Sequence, residues 1–140
     1  MKLNMRSQVG IFFALLCAAS VSAQLAVTVR PPKVVGQKAI VSLAMTNNLA
    51  DKVESARAVC FLLDGQGRMV GQSSKWVIGG NKSRSALEPK KAATFNFVIT
   101  SPQPWTATNL TARISFSRIV LSGGKLADVQ RDVIVSAATK

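Results

Sequence analysis

The sequence has no histidine and no tyrosine among its 140 residues, and its Asp and Glu total is only 6. Without histidine, a Ser-His-Asp triad and imidazole ligands for a transition metal are excluded. The few carboxylates are widely spaced, and this spacing is unfavourable for a calcium loop or for the paired acids of a glycoside hydrolase. We therefore expect no enzyme activity, no metal site and no cofactor.

The first residues resemble a leader and not a folded element. Lys2 and Arg6 form a positive start, residues 11–19 (IFFALLCAA) are apolar, and Val21-Ser22-Ala23 provides small residues for cleavage. This layout is typical of a secretory signal peptide. The apolar run is shorter than the roughly 20 residues that span a bilayer. The sequence predicts a signal peptide at residues 1–23, one domain at residues 24–140, no membrane span after removal of the leader, and a secreted or periplasmic location.

The two cysteines lead to no disulfide within that domain. Cys17 lies in the leader, where a bacterial lipoprotein signal is an alternative, but Leu15 and Leu16 precede it in place of a small residue. Cys60 is then a single cysteine, which cannot form an internal bridge. Its neighbours Val59 and Phe61 favour a buried thiol over a reactive one.

Residues 24–140 read as strands separated by Gly, Pro and Asn. Leu25, Val27 and Val29 alternate with polar or small residues, and residues 41–45 and 95–99 show the same period of two, which is typical of half-buried strands. Residues 53–63 begin with alternation and become apolar on both faces, which indicates a central strand covered on both sides or a strand that crosses an edge of the core. The phase slips near Arg118, and this slip predicts a β-bulge.

No segment has a sustained helical period with capping residues, and short strands recur along the chain. This pattern predicts an all-β fold, an immunoglobulin/fibronectin-like antiparallel β-sandwich of about seven strands. The strand after the Gly67 turn is expected to be a weaker outer strand, and residues 129–135 are expected to form the last one.

Several segments in order resemble the immunoglobulin-like FxLYD domains of bacterial exported proteins. They are residues 41–48, Cys60-Phe61-Leu62-Leu63-Asp64, Gly65-Gln66-Gly67, Leu87-Glu88-Pro89-Lys90 and Phe95-Asn96-Phe97. Cys60 and Leu63 stand where the signature has Phe and Tyr. The resemblance implies an exported sandwich, and it implies no particular activity.

The segment Asp64-Gly65-Gln66-Gly67 allows two interpretations. Asp-Gly between two strands is favoured in hairpin turns, where the backbone needs positive φ. An EF-hand loop needs oxygen ligands at alternate positions, but Arg68 occupies the fifth position and no Glu follows at the required distance. The sequence favours a hairpin.

The chain is strongly basic, with a formal net charge of +12. One local concentration of positive residues is a candidate site for an acidic polymer such as a glycan, lipopolysaccharide or nucleic acid; its members are Lys75, Lys82, Arg84, Lys90 and Lys91. Trp105, between prolines and polar residues, is a candidate anchor for a partner. We expect a protein-binding or structural module of the cell envelope or surface, with a cationic polymer-binding protein as the alternative.

Overall fold

The computed structural model describes residues 23–80 and 85–138, so the predicted leader, apart from Ala23, lies outside the described residues. The described chain forms eight strands and one short 3₁₀ turn, Ser122–Gly124. No helix in this part of the chain has the length and hydropathy needed to cross a bilayer. The strands are β1 (Leu25–Val29), β2 (Lys33–Val35), β3 (Lys38–Asn47), β4 (Val53–Leu63), β5 (Met69–Ile78), β6 (Ala92–Thr100), β7 (Thr111–Leu121) and β8 (Val133–Ala137).

The alternating sequence pattern corresponds to alternating burial. In β1, Leu25, Val27 and Val29 are buried and the residues between them are half-buried. In β3 the buried positions again recur every second residue. Because successive side chains of a strand point to opposite faces, each strand places one apolar row in the core.

The first sheet is built around β3. On one side β3 pairs antiparallel with β6, and on the other with β1 and then β2. Pro31 and Pro32 separate β1 from β2, since proline cannot donate to the ladder. β8 pairs with the outer edge of β1, and this pair is parallel, with Leu25 beside Val133 and Val29 beside Ala137.

The second sheet has the order β5-β4-β7, with β4 at its centre and both pairs antiparallel. Arg57 is opposite Arg118 and Ala58 is opposite Phe116, so Ser117 is the extra residue of a bulge. The bulge inverts the facing pattern of β7, and Phe116 and Ile119 are therefore both buried. The β-bulge that the phase slip near Arg118 predicted is thus confirmed.

The inward faces of the two sheets enclose one core that includes Phe97, Leu62 and Ile119. The predicted all-β sandwich is confirmed. Two details differ from the expectation: a short extra strand, β2, follows the prolines and makes eight strands in place of about seven, and the last strand joins β1 in parallel register. A further difference is that β4 is central within its sheet but is covered on one face only, because Val59, Phe61 and Leu63 remain half-buried on the outer face.

Candidate binding surfaces

Lys75 lies on the side of the sandwich where β5 and β6 face each other. It is opposite Ala58, a core residue, so its side chain starts toward the interior. Its ammonium donates to the carbonyl oxygen of Asn96 on β6 and lies 5.1 Å from the ring centroid of Phe97. Lys75 thus bridges the two sheets and closes this side of the sandwich.

The other predicted basic residues lie elsewhere or outside the described chain. Lys90 and Lys91 are exposed in the turn before β6, where the Lys90 N–H donates to the Asn47 carbonyl oxygen over 2.7 Å. Asn96 comes five positions after Lys91, which is about 17 Å along an extended strand. Lys82 and Arg84 are outside the described residues. The convergence of all five positive residues stays a prediction.

Trp105 packs at the end of the sandwich, where β2 turns into β3. Its indole N–H donates to the Gln37 carbonyl oxygen over 3.0 Å, and its backbone N–H donates to Gly36 over 3.1 Å. The ring is half-buried against the core, close to Gly71 of β5. Exposed apolar side chains flank these contacts at Val35 and Val70. A partner at this end would therefore meet part of the Trp105 ring together with neighbouring valines.

The carboxylate of Asp64 closes the β4–β5 hairpin. Its Oδ1 accepts the backbone N–H groups of Gln66 and Arg68, each over 2.9 Å, and its Oδ2 accepts the Arg68 guanidinium over 3.1 Å. The backbone N–H of Arg68 contributes most to holding the pKa of Asp64 below its usual value. The predicted hairpin is confirmed, and a guanidinium lies where a calcium ion would need free carboxylate oxygen.

Cys60 faces the core from the middle of β4 and is fully buried. Burial raises the pKa of the Cys60 thiol to about 11, because a thiolate is poorly solvated among apolar side chains. The thiol is thus protonated at neutral pH, as expected of a structural cysteine.

The spacing of Ser122 and Lys125 matches the S-x-x-K motif of serine-lysine hydrolases, a feature overlooked at the sequence level. The Ser122 hydroxyl donates to the Lys52 carbonyl oxygen over 3.5 Å, and the Lys125 ammonium lies 3.9 Å from an Asp51 carboxylate oxygen. The two side chains therefore have separate partners. Across residues 23–80 and 85–138, no three His, Cys, Asp or Glu side chains come together as a metal site.

The side of the sandwich between β7 and β8 is open. A groove of about 330 Å³ lies there between the end of β1, the start of β7 and the end of β8. Its apolar lining includes Val29, Ile114 and Val135, and Arg30 and Arg113 provide positive charge. β8 pairs with β1 and not with β7, and the groove lies between these strands.

One edge of β7 borders this groove. Ile119 and Leu121 still bond to the segment that follows the 3₁₀ turn, through Ala127 and Lys125. Along residues 111–117, however, no strand of the described chain pairs with β7 on the side away from β4. A row of peptide N–H and C=O groups is therefore available there to an extended segment.

The outer face of the second sheet combines arginine with aromatic side chains. Strand register places Trp76 beside Arg57 and Arg57 beside Arg118. Two rows further along, Phe61 lies beside Arg113. We call this surface the arginine face; it consists of Arg57, Phe61, Trp76, Arg113 and Arg118.

The arginines of this face form no ion pair within the described part of the chain. Among the described residues, no carboxylate lies within ion-pair distance of Arg57, Arg113 or Arg118. The Arg57 guanidinium lies 6.0 Å from the centroid of Trp76 and donates to the Ser74 hydroxyl over 3.3 Å. Sequence reasoning missed this surface because its members are far apart in the chain. The period of β4 and β7 marks each arginine as outward, but only the register brings them together.

No protein-family model and no curated protein matches the sequence. Among solved structures, the chain is similar to a β-glucuronidase from glycoside hydrolase family 2. The two share 13% identity over 71% of this chain and 14% of that chain, with a TM-score of 0.36. At this identity and TM-score the likeness assigns no activity to the chain.

Proposed function

We propose that the chain is an exported, non-catalytic β-sandwich that binds a protein partner by strand addition at the open side between β7 and β8. The observation that carries this proposal is the free edge of β7 along residues 111–117, which borders the groove. In strand addition, main-chain hydrogen bonds provide the affinity and pockets for alternate side chains provide the selectivity.

The groove can provide the pockets for alternate side chains. A strand added to β7 would place every second side chain toward Ile114 and Phe116, next to the apolar wall that Val29 and Val135 provide. Its remaining side chains would point outward, beside Arg113 and Ser115. The preferred partner segment is therefore extended, with apolar residues at alternate positions.

Selection of displayed eight-residue peptides on the protein tests this function. We expect the selected peptides to alternate in hydropathy and to slow amide hydrogen exchange in β7. Ala137→Trp, which places an indole in the groove, should weaken binding about tenfold or more, equivalent to about 1.4 kcal/mol. Ala92→Trp is the matched control at an exposed strand position outside the groove, and it should leave binding unchanged.

Peptides that protect only strands other than β7, or that bind Ala137→Trp normally, would contradict the proposal. The exported location rests on the leader pattern of residues 1–23. Sequencing the amino terminus of the exported protein tests it, with Gln24 as the expected first residue and an intact Met1 as the contrary result.

A further inference from the structure

We infer that the arginine face binds an acidic polysaccharide bearing carboxylate groups. This site lies on the outer face of the second sheet and goes beyond the proposed strand addition at the β7–β8 side, although Arg113 borders both surfaces. It also differs from the five positive residues that the sequence singled out, of which Lys75 points toward the interior.

Positive charges lie side by side on the arginine face. Arg57 and Arg118 are direct neighbours on adjacent strands, and like charges in that arrangement repel each other. Among the described residues no carboxylate lies within ion-pair distance of either arginine. A polyanion lying across the three strands would supply the missing negative charge. A second copy of the same face would add three more arginines and increase the repulsion.

The chemistry of the guanidinium group favours carboxylates as the bound groups. All three positive side chains are arginines, and the planar guanidinium donates two parallel hydrogen bonds to a carboxylate. Arg113 and Arg118 are exposed. These donors can therefore reach an acid group without a rearrangement of the sheet.

Uncharged polar and apolar side chains lie between the arginines. Gln72, Ser74 and Ser115 are exposed on the same face and offer uncharged donors and acceptors suited to sugar hydroxyls. Phe61 and Val59 are half-buried and give the apolar surface on which the hydrocarbon face of a sugar ring can pack.

The same geometry disfavours single-stranded nucleic acid. Base binding needs free aromatic faces on which successive bases stack. Arg57 already lies over the Trp76 ring. Phe61 is then the one remaining aromatic side chain of the arginine face as defined above. Carboxylates and hydroxyls fit this surface better than a run of bases.

Fluorescence titration tests the inference, with Trp105→Phe as the parent so that emission reports on Trp76. Alginate oligomers are the carboxylated probe, neutral dextran and oligo-thymidine are the comparisons, and each titration is repeated over a salt series. We expect alginate to change Trp76 emission, to bind more tightly than either comparison, and to lose affinity as salt screens the charges.

Arg57→Gln and Arg118→Gln should each weaken alginate binding by about tenfold. Lys33→Gln and Lys38→Gln are matched controls, because each removes one positive charge from the first sheet, and each should change affinity less than twofold. Ala137→Trp, at the β7–β8 side, should leave alginate binding intact. Peptide binding without alginate binding would overturn this inference alone, and the reverse result would overturn the proposed function alone.

Tighter binding of oligo-thymidine than of alginate would overturn the inference, and so would equal losses in the lysine controls and the arginine variants. Thermal unfolding of each variant shows that the fold is intact. Since the substituted arginines are exposed, we expect unfolding temperatures close to that of the parent.

Discussion

At the scale of single residues, Cys60 shows how an ordinary apolar position suppresses the chemistry of a reactive atom. The thiol lies at the centre of β4 with no exposed surface, and burial raises its pKa to about 11. The thiolate is the nucleophilic form of cysteine, and it is scarce here at physiological pH. The sequence predicted this state from the neighbouring residues alone.

We expect Cys60 to react slowly with a disulfide reagent in the native protein and rapidly in denaturant. Cys60→Ala combined with Ser74→Cys is the matched control, because residue 74 lies on the exposed outer face of β5 and its thiol should react rapidly without denaturant. Equal native rates for the two proteins would contradict the burial of Cys60.

The raised pKa also predicts a pH dependence of the free energy of unfolding. The unfolded thiol ionises near its usual pKa of 9.0, while the folded thiol keeps its proton up to about pH 11. The contribution of the protonated thiol to the free energy of unfolding should therefore be fully present below pH 9 and should be lost between about pH 9 and pH 11. Urea unfolding across this range should show a smaller fall for Cys60→Ala than for the parent.

At the scale of strands, the sequence predicted which side chains face the core better than it predicted which strands pair with each other. The period of two located the buried rows of β1 and β3, and the phase slip located the bulge at Ser117. The same reasoning did not predict which strand pairs with β8, because the backbone hydrogen bonds that join strands are much the same whatever the side chains are. It also suggested cover on both faces of β4, because apolar side chains can occupy an exposed sheet face as well as a buried one.

For the candidate surfaces, too, the type of side chain could be predicted from the sequence but its neighbours in the fold could not. The positive charge of the chain was evident from composition, but the predicted cluster followed closeness in sequence, and Lys75 proved to bridge the two sheets. Arg57 and Arg118 meet only through the register of β4 and β7, which depends on long-range pairing.

Asn47, the last residue of β3, is the polar residue buried in the core of the described chain, and its side chain hydrogen-bonds to three backbone groups. Its amide nitrogen donates to the carbonyl oxygens of Asp51 and Leu87, over 3.0 and 2.9 Å, and its Oδ1 accepts the Leu49 N–H over 2.9 Å. At the sequence level, asparagine was considered only as one of the residues that separate strands.

Asn47→Ala should lower the free energy of unfolding by about 3 kcal/mol, because it leaves buried backbone groups without partners. Asn48→Ala is the natural control, since Asn48 is exposed. Urea unfolding measures both. A loss at Asn47 no larger than that at Asn48 would show that water replaces these hydrogen bonds freely.

At the scale of the whole molecule, the positive charge acts on the open edge of β7. An unpaired edge is a template for pairing with another copy, and charged side chains along an edge oppose this. In an antiparallel pairing of two β7 edges centred between Ser115 and Phe116, Arg113 of each copy would lie opposite Arg118 of the other. The repulsion keeps this edge available for a different partner.

Replacement of both Arg113 and Arg118 by Val should therefore promote self-association. Sedimentation velocity over a concentration series is the measurement, and we expect a larger species that the parent lacks. Lys90→Asn with Lys91→Val removes the same charge from a turn and should leave the chain unassociated; Asn is used at residue 90 because the backbone there has a φ of 69°, which a β-branched side chain disfavours. Identical behaviour of the two double variants would show that net charge alone controls association.

The parallel pairing of β1 with β8 determines how the domain responds to tension. Leu25 lies beside Val133 and Val29 beside Ala137, so the chain enters β1 at one end of the pair and leaves β8 at the other. When the two ends of the domain are pulled apart, the two strands are drawn lengthwise past each other. All the hydrogen bonds of the pair then carry the force together in shear, whereas an antiparallel pair pulled from adjacent ends opens one bond at a time.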